Sequence, residues 1–391
     1  MSQSALVSEQ LVETAIAATG LDDFGEPTWK PGLECYVDAL NNEARLHELG
    51  ETVVTGEVVD YLSTRLGIVD WRRSHPEVAD ADVVPPIVIV GQARTGTTIL
   101  HDLLAQDTAN RVPLTWEVDR PLPPPESATY DTDARIAASQ EQLDMVELVI
   151  PGFQAMHPMG ARLPQECVRM TGGDFKSMIF PTQYRIPSYG NWLINEADMA
   201  PTYRYHRLFL QHLQSRHPAP RWVLKSPGHL WCLGALLDEY PNALLVQTHR
   251  DPLRIVASLT SLLGTLRRLG TDDISPPEIA NEFGGWLIEG LDRSVAARID
   301  GTVPADRVVD VHFRAFMDDP FTTIRAVYER LGLELDADAE QRMRDFLVDN
   351  TTEKHGGHHY TWADTELDIG EWRERARTYQ EYFDVESESL S

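Results

Sequence analysis

PPIVIVGQARTGTTILHDLLAQD, residues 85–107, decides how the rest of the chain reads. Pro85 and Pro86 stop whatever precedes them. Ile87 to Val90 is a short, wholly apolar, β-branched run, which suits a strand buried on both faces. Gly91 to Thr98 is a glycine- and threonine-bearing loop. Ile99 to Ala105 then reads as a helix, with Leu100, Leu103 and Leu104 on one stripe. Strand, small-residue loop and helix start together make an anion site. The first N–H groups of a helix have no helical partner, and the helix dipole favours negative charge beside them.

The loop narrows the choice of anion. Gly91 to Gly96 satisfies G-x-x-x-x-G, but Thr97 and Thr98 follow. A Walker A loop has lysine at the first of these positions, to reach the β- and γ-phosphates. Its absence argues against ordinary NTP hydrolysis. Arg94 inside the loop can fork onto two oxygens of a phosphate or sulfate without a metal. The plain alternative is a glycine turn carrying a surface arginine.

Residues 221–262, RWVLKSPGHLWCLGALLDEYPNALLVQTHRDPLRIVASLTSL, contain two more apolar strands. Each ends in a cation, at Lys225-Ser226-Pro227 and at Arg250-Asp251-Pro252, and strand ends are where α/β sheets place ligands. Ser258 follows Arg250 by eight residues. GQARTGTT, the K-S-P strand end and the R-D-P strand end, in this order, resemble the sulfotransferases that use PAPS (3′-phosphoadenosine 5′-phosphosulfate). The likeness spans roughly residues 85–360 and is to the bacterial type related to the protein-tyrosine sulfotransferases.

That resemblance implies roles. Arg94, Thr95, Gly96, Thr97 and Thr98 would hold the phosphosulfate. Arg250 and Ser258 would bind the 3′-phosphate. Lys225 would touch the bridging oxygen and the transferred group. The protein-tyrosine type uses a glutamate base a little over twenty residues after the loop arginine; Glu117 lies 23 residues after Arg94, in a proline-braced segment. Glu117 is therefore the expected general base, with Glu166 in LPQEC and His157 in MHPMG as rivals. No metal is required. Two segments depart from the family pattern. KHGGHHY, 354–360, has one lysine and three histidines in place of the usual Arg/Lys-Gly loop, without carboxylate or cysteine spacing that suggests a metal. Val311-His312-Phe313-Arg314 replaces the Tyr-Glu-Asp-like residues common elsewhere.

Composition agrees with a large α/β enzyme. The chain has 391 residues and 42% hydrophobic content, enough for a sizeable core. Its formal net charge of −27 makes nucleic acid or an anionic membrane a poor partner. An anionic co-substrate must then find a local basic pocket, for which Arg94, Lys225, Arg250 and Arg254 are placed. Three cysteines, Cys35, Cys167 and Cys232, give no paired spacing and suggest a reducing compartment. Neither a signal peptide nor an 18-residue apolar run is evident, so the expectation is a cytoplasmic protein.

The expected architecture is α/β: a P-loop-like, mainly parallel sheet flanked by helices, with an N-terminal helical cap. Residues 1–80 read as the cap, 81–383 as the PAPS-binding domain and 384–391 as a frayed acidic tail. Helices are expected at 133–149, with Ile136, Leu143, Val146 and Leu148 inward, at 203–216, 252–269, 278–299, 320–332 and 337–349. Strands are expected at 222–224, 244–248 and 308–311. Residues 150–200 mix aromatics, Met, Gly and Pro without a period, as a substrate wall or lid does, and core packing accounts for the apolar content equally well. The expected reaction is sulfuryl transfer from PAPS to a hydroxyl of a small or lipid-like acceptor. A P-loop-type kinase and a catalytically inactive PAP-binding protein are the alternatives. The motifs specify neither the acceptor nor the oligomeric state.

Overall fold

The computed structural model describes residues 5–150, 153–156, 158–350 and 360–390. Four parallel strands make one sheet in the order β2-β1-β3-β4: β1 Ile87–Val90, β2 Val223–Lys225, β3 Leu244–His249 and β4 Val308–His312. The sheet is parallel and flanked by helices, as expected. Its register sets Ile89 beside Lys225, Val90 beside Gln247 and His249 beside His312. All four strands therefore end at one edge, and Gly91, Lys225 and Arg250 arrive there together.

Both faces of the sheet are covered, which is why its strands are apolar throughout. Ile87, Ile89, Val223 and Val246 pack against Leu100, Leu103, Phe321 and Ile324. Val88, Val90, Leu224 and Leu245 pack against Leu210, Leu253, Leu287 and Leu291 on the other side. The long helices run Pro252–Arg267 and Pro276–Ile299.

Helices α1 Ser8–Thr19, α2 Lys30–Glu43 and α3 Glu48–Ser74 form the N-terminal region. They share a core with the sheet-side helices: Tyr36, Leu40, Val58 and Leu62 join Phe180, Tyr189, Leu263 and Trp286. A buried carboxylate fastens the two parts. Asp174 has no exposed surface and accepts from Arg65 at 3.1 Å, Lys176 at 3.1 Å, Thr28 at 2.7 Å and Thr202 at 2.8 Å. Two cations and two hydroxyls satisfy a group that could not otherwise stay charged in an apolar interior.

The aperiodic stretch is not irregular chain. It folds as short turns of helix, among them Cys167–Thr171, Ile179–Gln183 and Pro187–Asn195. Phe175, Phe180 and Tyr189 are fully buried there, so burial comes from all sides and no period shows. One inward assignment fails. On the helix Ala134–Val149, Leu148 is 71% exposed, because this helix packs along one narrow face only.

Candidate active site

The loop after β1 leads into α4, Thr97–Leu104, two residues earlier than the periodicity suggests. Gly96 caps it at φ 87°, a conformation open to glycine. The first helical bond runs from Leu100 N–H to the Gly96 carbonyl, so the N–H groups of Thr97, Thr98 and Ile99 face out of the helix end. Gly91 passes so close to β3 that a Cβ would stand 2.1 Å from Thr248 Oγ1. The Thr95 hydroxyl ties the loop down, donating to the Gln92 carbonyl at 2.6 Å and lying 2.6 Å from Thr248 Oγ1. Arg94 holds φ 69°, left-handed for a non-glycine residue, a strained geometry that tends to cluster at functional sites.

Arg94 turns toward the next helix. Its Nε donates to Ser258 Oγ at 3.0 Å and its Nη1 to the Met156 carbonyl at 3.1 Å. Arg250 Nη1 donates to the Arg94 carbonyl at 2.9 Å. The structure thus brings Arg94, Arg250 and Ser258 to one point at the sheet edge. Burial lowers the Arg94 pKa below the ordinary guanidinium value, with the Arg250 charge adding to it against the pull of Tyr360.

The acidic tail, expected to fray, is bound in this site. Val385 is buried, and the Glu388 carboxylate accepts from Arg250 Nε at 2.8 Å and Nη2 at 3.0 Å. Its other neighbour is Arg254, whose Nε lies 3.9 Å away and has no hydrogen-bond partner among the described residues. An acidic composition suggests a solvated tail; here a cationic pocket binds it instead. Phe313 stacks beneath Arg250 at 4.0 Å.

Lys225, only 3% exposed, meets the Glu166 carboxylate, which remains 21% exposed. Asp102, on α4, faces the same ammonium: burial pushes its carboxyl up to about 6 while Lys225 pulls it down. Its place one helical turn after Thr98 is the signal that could have found it.

Glu117, the base expected from spacing, is held by partners of its own. Its side chain has no exposed surface and is paired with Arg111 at 2.7 Å. Its second oxygen accepts the Leu114 N–H at 3.0 Å. Arg111 lies beside Arg221 and Trp222, at the entry of β2 and not at its ligand end. A buried carboxylate needs a cation, and Arg111 lies closer to hand than the sheet edge. Glu166 is the carboxylate that the fold sets against Lys225. His157 and the segment 351–359, including Lys354 and the histidines 355, 358 and 359, lie outside the described residues. Among the described residues no group of three metal-ligating side chains converges.

A cavity of about 320 Å³ opens between the segment 168–199 and the chain that follows β2. Val168, two residues after Glu166, and Ser226, one after Lys225, stand in its walls with Met178, Leu193 and Met199. Its polar features include His229, whose Nδ1 meets the Tyr203 hydroxyl at 2.7 Å. The His229 Nε2 is buried without a hydrogen-bond partner among the described residues, and burial lowers this histidine's pKa to about 3, so it is neutral.

Comparison with known proteins agrees with this geometry. The sulfotransferase family profile matches residues 85–337. The omega-hydroxy-beta-dihydromenaquinone-9 sulfotransferase Stf3 of Mycobacterium tuberculosis is 26% identical over 315 residues, covering 74% of this chain and 73% of the relative. Among solved structures, sulfotransferase STF9 from Mycobacterium avium superposes with a TM-score of 0.89 at 30% identity, covering 100% of this chain and 99% of that one. Sulfotransferase STF1 from Mycobacterium tuberculosis gives 0.84 at 30% identity, covering 95% and 98%.

Proposed function

The chain belongs to the sulfotransferase family, and from that premise we propose that it transfers the sulfuryl group of PAPS to a hydroxyl of an apolar, small or lipid-like acceptor. The observation that carries this reading is the meeting of Arg94, Ser258 and Arg250 at one end of the sheet. PAPS has two anionic groups, a phosphosulfate and a 3′-phosphate. The loop Arg94 to Thr98, with its outward N–H groups, suits the first. Arg250 and Ser258 suit the second, and Arg250 already grips a carboxylate with two of its nitrogens.

Transfer forms a bond from the acceptor oxygen to sulfur and breaks the sulfur bond to the bridging phosphate oxygen. The acceptor proton goes to a base, and PAP departs with the bridging oxygen's charge. Lys225 is the group proposed to stabilise that charge. Glu166 is the proposed base. The ion pair between them holds the two proposed groups together. Glu117 acts at a distance, holding Arg111 and the segment between α4 and Glu166.

The cavity walled by Val168 and Ser226 is the proposed acceptor pocket. Val168, Met178, Leu193 and Met199 give it apolar wall for an acceptor's body, beside polar groups that include Asn195 and Arg293. The name of the Mycobacterium tuberculosis relative, with a hydroxylated menaquinone as substrate, supports an acceptor of this kind. Radiolabelled PAPS offered with a panel of quinols, phenols and long-chain alcohols tests the reading. Labelled sulfate ester on apolar members is expected. Labelling of none, with PAP bound, would leave an inactive binder.

A further inference from the structure

Glu388 lies 138 residues from Arg250 in sequence, yet its carboxylate takes both free nitrogens of that guanidinium. Arg254, in the first turn of the helix Pro252–Arg267, faces the same carboxylate with an unpartnered Nε. Two cations, Arg250 and Arg254, face this point, and Glu388 is the carboxylate that the described residues set against them. A single negative charge leaves the cluster cationic. A phosphate dianion with three acceptor oxygens would match it better than a carboxylate does.

The tail is docked by contacts that can be released. Asp384 turns the chain back at φ 52° after the helix Ile369–Phe383, and Gln380 brackets Val385 through both its backbone and side chain. The Glu388 N–H donates to Asp251 at 2.6 Å. Asp251 does not depend on it, since Arg373 holds both its oxygens at 2.6 and 2.8 Å and the Leu253 N–H adds a third bond. Asp251 therefore keeps its partners when residues 386–390 leave.

We propose that the Glu388 carboxylate sits where the donor's 3′-phosphate binds, so that the C-terminal tail competes with the nucleotide, and that Arg254 becomes a further phosphate ligand once the tail is displaced. This rests on the reading of Arg250 and Ser258 as the 3′-phosphate site. In an acidic chain, such a tail keeps weaker anions out of the arginine cluster and makes donor binding cost the tail its charged pair. Apparent affinity is reduced by the fraction of molecules with the seat taken.

The test measures PAP affinity by calorimetry on the full chain, on Glu388→Gln and on Glu386→Gln. Glu386 supplies the charge control, because it pairs on the surface with the exposed Arg314. Glu388→Gln is expected to tighten PAP binding about three- to tenfold, as the charge-assisted bonds become neutral. Glu386→Gln is expected to change it less than about twofold. Hydrogen exchange at 386–390 should speed up when PAP saturates the wild-type chain. Equal affinities for wild type and Glu388→Gln, equal gains from both variants, or slower tail exchange with PAP would overturn the competition while leaving the donor site intact. PAP binding to none of the three proteins would overturn the donor site itself, and the competition with it.

Discussion

Changing Glu166 and Glu117 separately to glutamine should split turnover from stability. Both changes keep side-chain shape and remove one charge. Glu166 stands against Lys225 and keeps 21% of its side chain open. Loss of a positioned base slows transfer by about 10²- to 10⁴-fold. Lys225 is 3% exposed and Glu166 21%, so the pair lies between a surface pair and a buried one, and the stability cost is about 1–3 kcal/mol. PAP affinity should hold within about threefold, since Glu166 makes no bond to Arg94, Arg250 or Ser258. Glu117 is the reverse case. It is fully enclosed, and its loss leaves Arg111, 6% exposed, without a counter-charge. Breaking such a pair costs about 3–5 kcal/mol, several degrees of Tm in a chain of this size. The assay is single-turnover transfer of labelled sulfate at saturating PAPS, alongside thermal unfolding of each variant. Wild-type turnover in Glu166→Gln would refute the assignment. A Glu117→Gln protein as stable as wild type but without turnover would return the role to Glu117.

Arg250→Ala should weaken PAP binding by about ten- to a hundredfold, the range for a forked charge-assisted contact, and calorimetry reads it directly. Asp174→Asn leaves Arg65 and Lys176 facing a neutral group inside the joint between α3 and the sheet-side helices. Chemical denaturation should report a loss of about 3 kcal/mol or more. Acid should unfold the protein through its histidines. Burial lowers His101, His206 and His229 to about 3 and His212 to about 4. Below their unfolded value near 6.5 the unfolded chain binds protons that the folded one refuses, so stability falls as pH falls from there toward 4. At pH 5 each contributes about 2 kcal/mol of that loss. A flat Tm between pH 7 and 5 would contradict the burial of these rings.

The sheet was legible because its strands are short apolar runs with turn residues at both ends, and because Lys225 and Arg250 mark where two of them stop. The anion loop was legible from Gly91, Arg94 and Gly96 alone. Charge partners were not. Nothing local tells that Glu117 turns to Arg111, six residues back, or that Glu166 crosses to Lys225. Spacing from the loop arginine identified a glutamate but carried no information on which way it points. The docked tail was hidden for a related reason. Its acidic, serine-rich composition is what a solvated end looks like, and only the fold supplies the arginine cluster that binds it. Residues 150–200 resisted because burial on every side erases the period that reveals a half-buried helix.

On this reading the arginines at the sheet edge bind a nucleotide with a 3′-phosphate. Calorimetric titration of the wild-type chain with PAP and, separately, with ATP tests it most directly. One-to-one PAP binding, at least about tenfold tighter than ATP, is predicted, because Thr97 stands where a β,γ-phosphate lysine would and Arg250 awaits the 3′-phosphate. ATP bound more tightly than PAP would contradict it.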